Sequence, residues 1–146
     1  MREIKFRGKR TDNGEWVEGF LIGLYNPQIK ENVIKQSFIH NGTIFYNPDK
    51  VTPETVGQFT GLTDKNGKEI YEGDIVQIFY DIEFSREEFY TGVVEYKVEN
   101  NYPAFDLEPW IDCDMNALSW LKSESDESVL NYEVIGNIHD NPELLK

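Results

Sequence analysis

Apolar and polar residues alternate with a two-residue period in several segments of the second half of the chain, which is typical of β-strands. IVQIFY (75–80) is apolar on nearly both of its faces, so we expect a central strand or one packed from two sides. YTGVVEYKV (90–98), AFDLE (104–108) and YEVIGNI (132–138) predict three further strands, and the charged stretch DIEFSREEF (81–89) is interpreted as a connection. The residues expected to form the inward apolar faces are Val76, Ile78, Tyr80, Val94, Tyr96, Val98, Phe105 and Leu107.

Asparagine followed by glycine occurs three times between the β-rich runs. Both residues tolerate the positive φ that tight turns require, so each pair predicts a hairpin. The glycine-rich run GLTDKNGK does not match the GxxxxGK[ST] phosphate loop, and a hairpin is expected after it instead of a helix. The predicted turn residues are Asn13, Gly14, Asn41, Gly42, Asn66, Gly67, Gly73 and Asp74.

Charge indicates the register of the third hairpin. A two-residue turn at 66–67 would place Lys65 opposite Lys68, which is an unfavourable pair of like charges. A three-residue loop over 65–67, with the glycine in the left-handed conformation, instead pairs Asp64 with Lys68. We predict this longer loop.

The other two hairpins differ from each other. In the first, a tight turn would oppose Asp12 and Glu15, so a longer loop is favoured there as well. In the second, a tight turn pairs Ile39 with Ile44, which favours the two-residue form.

Helices are expected to be few and short. MNALSWLK (115–122) has the spacing of a short amphipathic helix, with Asp114 as its N-cap. Thr-Pro at 52–53 and Asn-Pro at 141–142 each combine a cap residue with a proline, which predicts two one-turn helices.

Composition also indicates a mainly β protein. The chain has only two alanines, although alanine is the best helix former, and it is rich in β-branched and aromatic residues. Its 146 residues suffice for one domain or two closely packed lobes. We predict a hairpin-rich N-terminal lobe over residues 1–58 and a barrel-like C-terminal lobe over residues 59–146. Within the second lobe, residues 74–138 have the layout of an SH3-like small β-barrel.

The net charge of −13 is spread unevenly. Residues 1–10 carry five basic side chains against Glu3, so the rest of the chain has a net charge of −17. Residues 106–133 hold eight acidic side chains and, as their only basic one, Lys122. Phosphate contacts need clustered Lys and Arg, so this distribution argues against direct binding of nucleic acid.

Cys113 is the only cysteine, which excludes an internal disulfide and is typical of a reducing cytosol. No apolar run of signal-peptide length follows the basic opening MREIKFRGKR. The apolar runs are also far shorter than the about 20 residues that cross a bilayer. We therefore expect a cytoplasmic protein with no membrane partner.

The segment DCDMN resembles the start of a calcium-binding loop, with Asp112, Asp114 and Asn116 at its first three ligand positions. The pattern then fails, because Ala117 stands where that loop needs glycine and Ser123 where it needs glutamate. Calcium binding is therefore not expected.

Other acidic residues of this region could hold Mg²⁺ for hydrolytic chemistry. The candidates are Asp106, Glu108, Asp112 and Asp114. Strand alternation turns Asp106 and Glu108 away from Phe105 and Leu107, toward solvent, which is ordinary outward polarity. The two histidines and the cysteine lack the paired spacing of a zinc site, so no cofactor is predicted.

A possible interaction surface is indicated by aromatic and basic residues. Trp110 and Tyr102 belong to a predicted loop region, and aromatic residues are enriched in the cores of interfaces. Arg7, Lys9 and Arg10 form a basic strand that suits docking onto an acidic surface, within or between subunits.

Three blocks of the sequence together resemble the YopX family of phage and prophage proteins. They are IKFRGK…GEWVEGFL, QFTGLTDKNGKEIYEGDIV and EVIGNIHDNPELL, and residues 81–131 match less distinctively. The resemblance implies a phage- or prophage-encoded protein of the host bacterial cytoplasm, with a largely β, barrel-like fold that forms homo-oligomers. It brings no catalytic site.

We therefore expect a non-catalytic accessory protein that acts through contact with proteins, as a homo-oligomer and with a host or phage protein as a possible partner. No complete catalytic motif was found, so an enzyme is not predicted. Two alternatives stay open. One is an acidic mimic of nucleic acid that inhibits a host DNA-binding enzyme, and the other is a metal-dependent hydrolase that uses the acids of residues 106–114.

Overall fold

The computed structural model describes residues 3–24, 36–40, 49–82, 86–98, 104–108 and 129–146. These residues are mostly antiparallel β-strands, so the predicted mainly β class is confirmed. The helical structure among them is two 3₁₀ turns, Pro53–Thr55 and Pro142–Leu145. Backbone contacts divide the chain into two compact units, residues 1–59 (unit 1) and 60–146 (unit 2).

The described residues form ten strands. They are β1 (Phe6–Lys9), β2 (Trp16–Leu24), β3 (Gln36–His40), β4 (Asp49–Val51), β5 (Gly57–Thr63), β6 (Glu69–Tyr71), β7 (Asp74–Ile82), β8 (Arg86–Lys97), β9 (Ala104–Glu108) and β10 (Val129–Asn137). The strands are arranged in the orders β4-β3-β2-β1-β5-β6 and β10-β7-β8-β9.

Unit 1 is built on antiparallel pairing around β1 and β2. Gly8 of β1 lies opposite Val17 of β2, and the other side of β1 pairs with the start of β5. Ile39 and Val51 are almost fully buried. A Cβ atom on Gly8 would lie 3.0 Å from the Cβ atom of Val51, so these strands approach each other as closely as a glycine allows.

The first hairpin avoids the opposition of Asp12 and Glu15 with a four-residue loop. Arg10 N donates to Glu15 O at 2.9 Å. The residue opposite Glu15 is therefore the basic Arg10 and not the acidic Asp12. The Arg10 guanidinium also binds the Asp12 carboxylate at 2.6 Å and lies 3.4 Å from Asp49. The hydrogen bond from Arg10 lowers the pKa of the Asp12 carboxyl.

The pairing predicted for the second hairpin is wrong. Ile39 lies opposite Leu21 of β2 on one side and opposite Asp49 of β4 on the other. These are its two cross-strand partners, so Ile39 does not pair with Ile44 as predicted. The return strand is β4, which buries Val51. Asn41 and Gly42 lie outside the described residues.

The third hairpin has the three-residue loop that like-charge repulsion predicts. Asp64 N donates to Lys68 O at 2.8 Å, and Gly67 N donates to Asp64 O at 2.9 Å. Gly67 has a φ of +78°, in the left-handed region that favours glycine. A turn at 72–73 then leads into β7.

Unit 2 contains the four-stranded sheet β10-β7-β8-β9, in which β7 is central as predicted. The inner face of this sheet packs with β5 and β6 into a core cluster. Its buried members are Leu62, Ile70, Val76, Ile78, Val94, Phe105, Leu107 and Val134. An SH3-like barrel is not confirmed by these strands and stays a prediction.

Two expectations for β8 need correction. Tyr96 and Val98 are 48% and 69% exposed, because the core cluster reaches only to Val94 and Phe105. The Tyr96 ring stands edge-on to Phe105, with 5.1 Å between their centroids. The predicted connection 81–89 is also largely strand, since β7 continues to Ile82 and β8 begins at Arg86.

Both proline turns form at the predicted places, with Thr52 and Asn141 at their N-cap positions. Neither Thr52 nor Asn141 makes a capping hydrogen bond. Thr55 Oγ1 donates to Thr52 O at 2.7 Å and accepts from Lys9 N at 2.9 Å. Proline, with its fixed φ, therefore marks where these turns begin without help from a cap. The predicted helix 115–122 lies outside the described residues.

Substituting Gly8→Ala is expected to destabilise the protein by about 1–3 kcal/mol, because the added methyl overpacks a buried contact. The three nearest atoms, at 3.0–3.2 Å, all belong to the short and almost fully buried side chain of Val51. Urea unfolding followed by circular dichroism measures the change. Glu54→Ala, at an exposed position, is the control, and equal midpoints for the two variants would contradict the expectation.

Candidate interaction surface

The structure separates the basic residues that the sequence predicts to act together. The Arg7 guanidinium and the Lys9 ammonium lie over the Trp16 ring, 4.7 and 5.6 Å from its centroid. Arg7 is only 8% exposed. Arg10, on the other face of the strand, binds Asp12 and Asp49. Two cations therefore stack on one ring, and the third is neutralised by carboxylates.

The other predicted site residues are distributed as follows. Trp110, Tyr102, Asp112 and Asp114 lie outside the described residues. Asp106 Oδ1 accepts from Leu107 N at 2.8 Å, and the Glu108 carboxylate forms an ion pair with Lys97. Within the described ranges, no three His, Cys, Asp or Glu side chains gather as a metal ion would require. The hydrolase and the nucleic-acid mimic stay hypotheses.

An aromatic pair, one ring half-buried and the other exposed, lies on the outer face of the unit 2 sheet, opposite the core cluster. Phe79 of β7 is directly opposite Phe89 of β8, and the ring centroids are 6.2 Å apart. Phe89 is 62% exposed, although it belongs to a strand that pairs with β7 at this position. Such an exposed ring on a rigid strand is a feature that interfaces use.

An ion pair borders the aromatic pair. Lys65 Nζ is 2.9 Å from the Glu133 carboxylate and 5.5 Å from the centroid of the Phe79 ring. The two charged side chains are 39% and 33% exposed, so each can also meet a partner. Asn66 Nδ2 donates to the same glutamate at 3.2 Å. We call Lys65, Phe79, Phe89 and Glu133 the aromatic–ionic patch.

Asp64 fixes the loop that carries Lys65. One oxygen of its carboxylate accepts from the backbone N–H groups of Asn66 at 2.8 Å and Lys68 at 2.9 Å, within its own loop. The other oxygen accepts from Val134 N of β10 at 3.0 Å. Lys65 N donates in turn to Tyr132 O at 3.1 Å. The loop is thereby fastened to the outer edge of β10.

The same contacts set the acidity of this carboxyl. Burial alone would raise the pKa of Asp64, but the hydrogen bonds from Val134, Lys68 and Asn66 together lower it below its ordinary value. Burial, with the nearby Asp64 charge, raises the pKa of Tyr132. Asp64 therefore remains ionised at neutral pH and holds the loop as an anion.

Two polar side chains lie beside the patch on the same face. Gln77 Nε2 donates to Thr91 Oγ1 at 3.2 Å. Asn131, opposite Phe79 on β10, has a buried Oδ1 atom with no hydrogen-bond partner in the structure as far as it is described.

The patch ends where the C-terminal segment covers the sheet. A Cβ atom on Gly136 would lie 2.6 Å from Asn141 Oδ1 and 2.9 Å from Leu144 Cδ1, so this segment packs directly on β10. Gly136 is opposite Ile75, which is fully buried. The sheet is therefore covered by the C-terminal segment at Gly136, whereas Phe89 on β8 is exposed.

Sequence reasoning missed Phe89 because it treated 81–89 as a connection. A signal was present, since Phe89, Thr91 and Val93 continue one face of the β8 alternation while Gly92 and Val94 continue the other. No pattern in the sequence indicates that Lys65 meets Glu133. That contact needs the tertiary fold.

A family model described as "YopX protein" matches residues 5–146, and the chain belongs to this family. A crystal structure of protein EF1440 from Enterococcus faecalis is similar in fold, with a TM-score of 0.57. The similarity covers the whole of both chains at 24% sequence identity. A comparison with curated proteins gives no match.

Among the described residues, no helix has both the length and the apolar character needed to cross a membrane.

Asp64→Asn is expected to lower stability at neutral pH by about 1–3 kcal/mol, because an amide offers one acceptor where the carboxylate uses two. The folded pKa lies below the unfolded value of about 3.9. The contribution of Asp64 to the free energy of unfolding is therefore complete above the unfolded pKa, and it is lost as the pH falls through the folded pKa. The variant should accordingly lose less stability on acidification than the natural chain.

Urea unfolding at a series of pH values from about 7 down to 2 measures this difference. Glu143→Gln, at an exposed carboxyl, is the control and should follow the natural chain. Parallel curves for Asp64→Asn and the natural chain would show that this carboxylate does not fasten the loop.

Proposed function

We propose that this YopX-family chain is a non-catalytic protein-interaction module that forms homo-oligomers, encoded by a phage or prophage and acting in the host cytoplasm. The observation that carries the proposal is the exposure of Phe89, 62%, at a fixed position of a paired strand. A large ring held in water by a rigid sheet loses hydrophobic stabilisation that a protein partner can supply.

The surroundings of Phe89 also fit a protein interface. Phe79 extends the apolar surface, and Lys65 and Glu133 supply a polar border with both signs of charge. Interfaces of this kind combine an aromatic centre with a polar rim. The patch is electrically balanced within a chain of net charge −13, so it suits contact with a protein surface better than contact with a polyanion.

Light scattering coupled to size exclusion tests the proposal at low and high salt. The natural chain is expected to form a defined oligomer, and Phe89→Ser is expected to weaken its association at least about tenfold, as loss of a central aromatic contact does. Phe20→Ser is the matched control, because Phe20 is 60% exposed on a strand of unit 1.

A strict monomer at both salt concentrations would count against homo-oligomerisation. Equal effects of the two phenylalanine substitutions would show that the association does not use the aromatic–ionic patch. Circular dichroism of each variant checks that the β-structure is unchanged.

A further inference from the structure

We propose that the aromatic–ionic patch is covered by the same patch of a second copy of this chain, related by a two-fold axis, with Lys65 of each copy pairing with Glu133 of the other. This assignment rests on the proposed function and specifies the surface and the charges that perform it. It places Phe89 of both copies near the axis.

The patch is self-complementary, as a two-fold interface requires. In such an interface one surface meets itself, so every group must find its partner within the same patch. The patch supplies an apolar pair, Phe79 with Phe89, and one cation with one anion, Lys65 with Glu133. Apolar rings can meet rings, and each ammonium group can meet a carboxylate.

The overall charge makes this balance important. Two copies with a net charge of −13 each repel one another over most of their surfaces. Like charges brought face to face oppose association, so close approach needs a locally neutral surface. The patch is such a surface, because Lys65 offsets Glu133 beside the exposed ring.

The position of Lys65 allows the exchange of partners. The residue belongs to the loop after β5, and its backbone is held by the bond to Tyr132 O. Its side chain extends over Phe79 and is 39% exposed, so a rotamer change can move Nζ from one carboxylate to another without moving the loop. The two ion pairs within the separate chains are then replaced by two ion pairs between the chains.

A basic partner would fit the same patch less well. It would be attracted by the negative chain as a whole, but Lys65 would oppose it at the border of the aromatic pair. A second copy meets no such conflict, since its own Glu133 faces this lysine.

Complementation between charge-reversed variants tests the proposal. Lys65→Glu and Glu133→Lys are each expected to weaken self-association at least about tenfold, because each creates two like-charge contacts across the axis. An equimolar mixture of the two variants is expected to restore the affinity of the natural chain to within about threefold, because both contacts between unlike copies are again of opposite sign. Sedimentation equilibrium or light scattering gives the dissociation constants.

The mixture isolates contacts between copies. In each single variant the ion pair within the chain stays broken, so recovery on mixing cannot come from repair of the loop. The double variant Lys65→Glu/Glu133→Lys restores both kinds of contact and should associate like the natural chain. Recovery in the double variant without recovery in the mixture would show that the pair acts only within one chain, and would overturn the proposal.

Other results separate this assignment from the proposed function. An oligomer that is sensitive to Phe89→Ser but not to either charge reversal would overturn the two-fold pairing and leave the interaction module in place. A monomeric natural chain that binds polylysine more tightly after Lys65→Glu would assign the patch to a basic partner. That result would overturn both the pairing of copies and the homo-oligomer.

Discussion

In unit 2 a buried carboxylate joins two segments that are far apart in the chain. Asp64 accepts three backbone N–H groups, two from its own loop and one from Val134, which is 70 residues further along the chain. Since β10 lies at the end of its sheet, the loop supplies the partners that the middle of this strand would otherwise lack. An edge with unpaired N–H and C=O groups invites unwanted pairing, and this loop prevents it there.

The same fastening connects local folding to the proposed interaction. A three-residue loop is required because a tighter turn would bring Lys65 against Lys68, and the longer loop leaves Lys65 free to turn toward Glu133 and the Phe79 ring. The same loop therefore forms the three-residue turn, buries the Asp64 carboxylate and presents the Lys65 ammonium group. The similarity of fold to EF1440 at 24% identity indicates that this architecture tolerates wide changes in sequence.

Local patterns predicted those parts of the fold that local forces decide. Repulsion between Lys65 and Lys68 was enough to predict the third loop, and the two-faced apolar pattern of 75–80 was enough to place β7 centrally. The register of Ile39 was missed because β3 pairs with β4, ten residues further along the chain, and local patterns did not indicate that partner. The patch was missed for a similar reason, since its ion pair joins segments that are far apart in sequence.

The pairing of β10 with β7 has a consequence for synthesis of the protein. The central strand acquires one of its two neighbours only after residue 129 has been made, and Asp64 waits for Val134. Until then the apolar β7 and β8 are without part of their cover, and such incomplete sheets are prone to aggregate. On the ribosome the core of unit 2 therefore stays incomplete until β10 has been released.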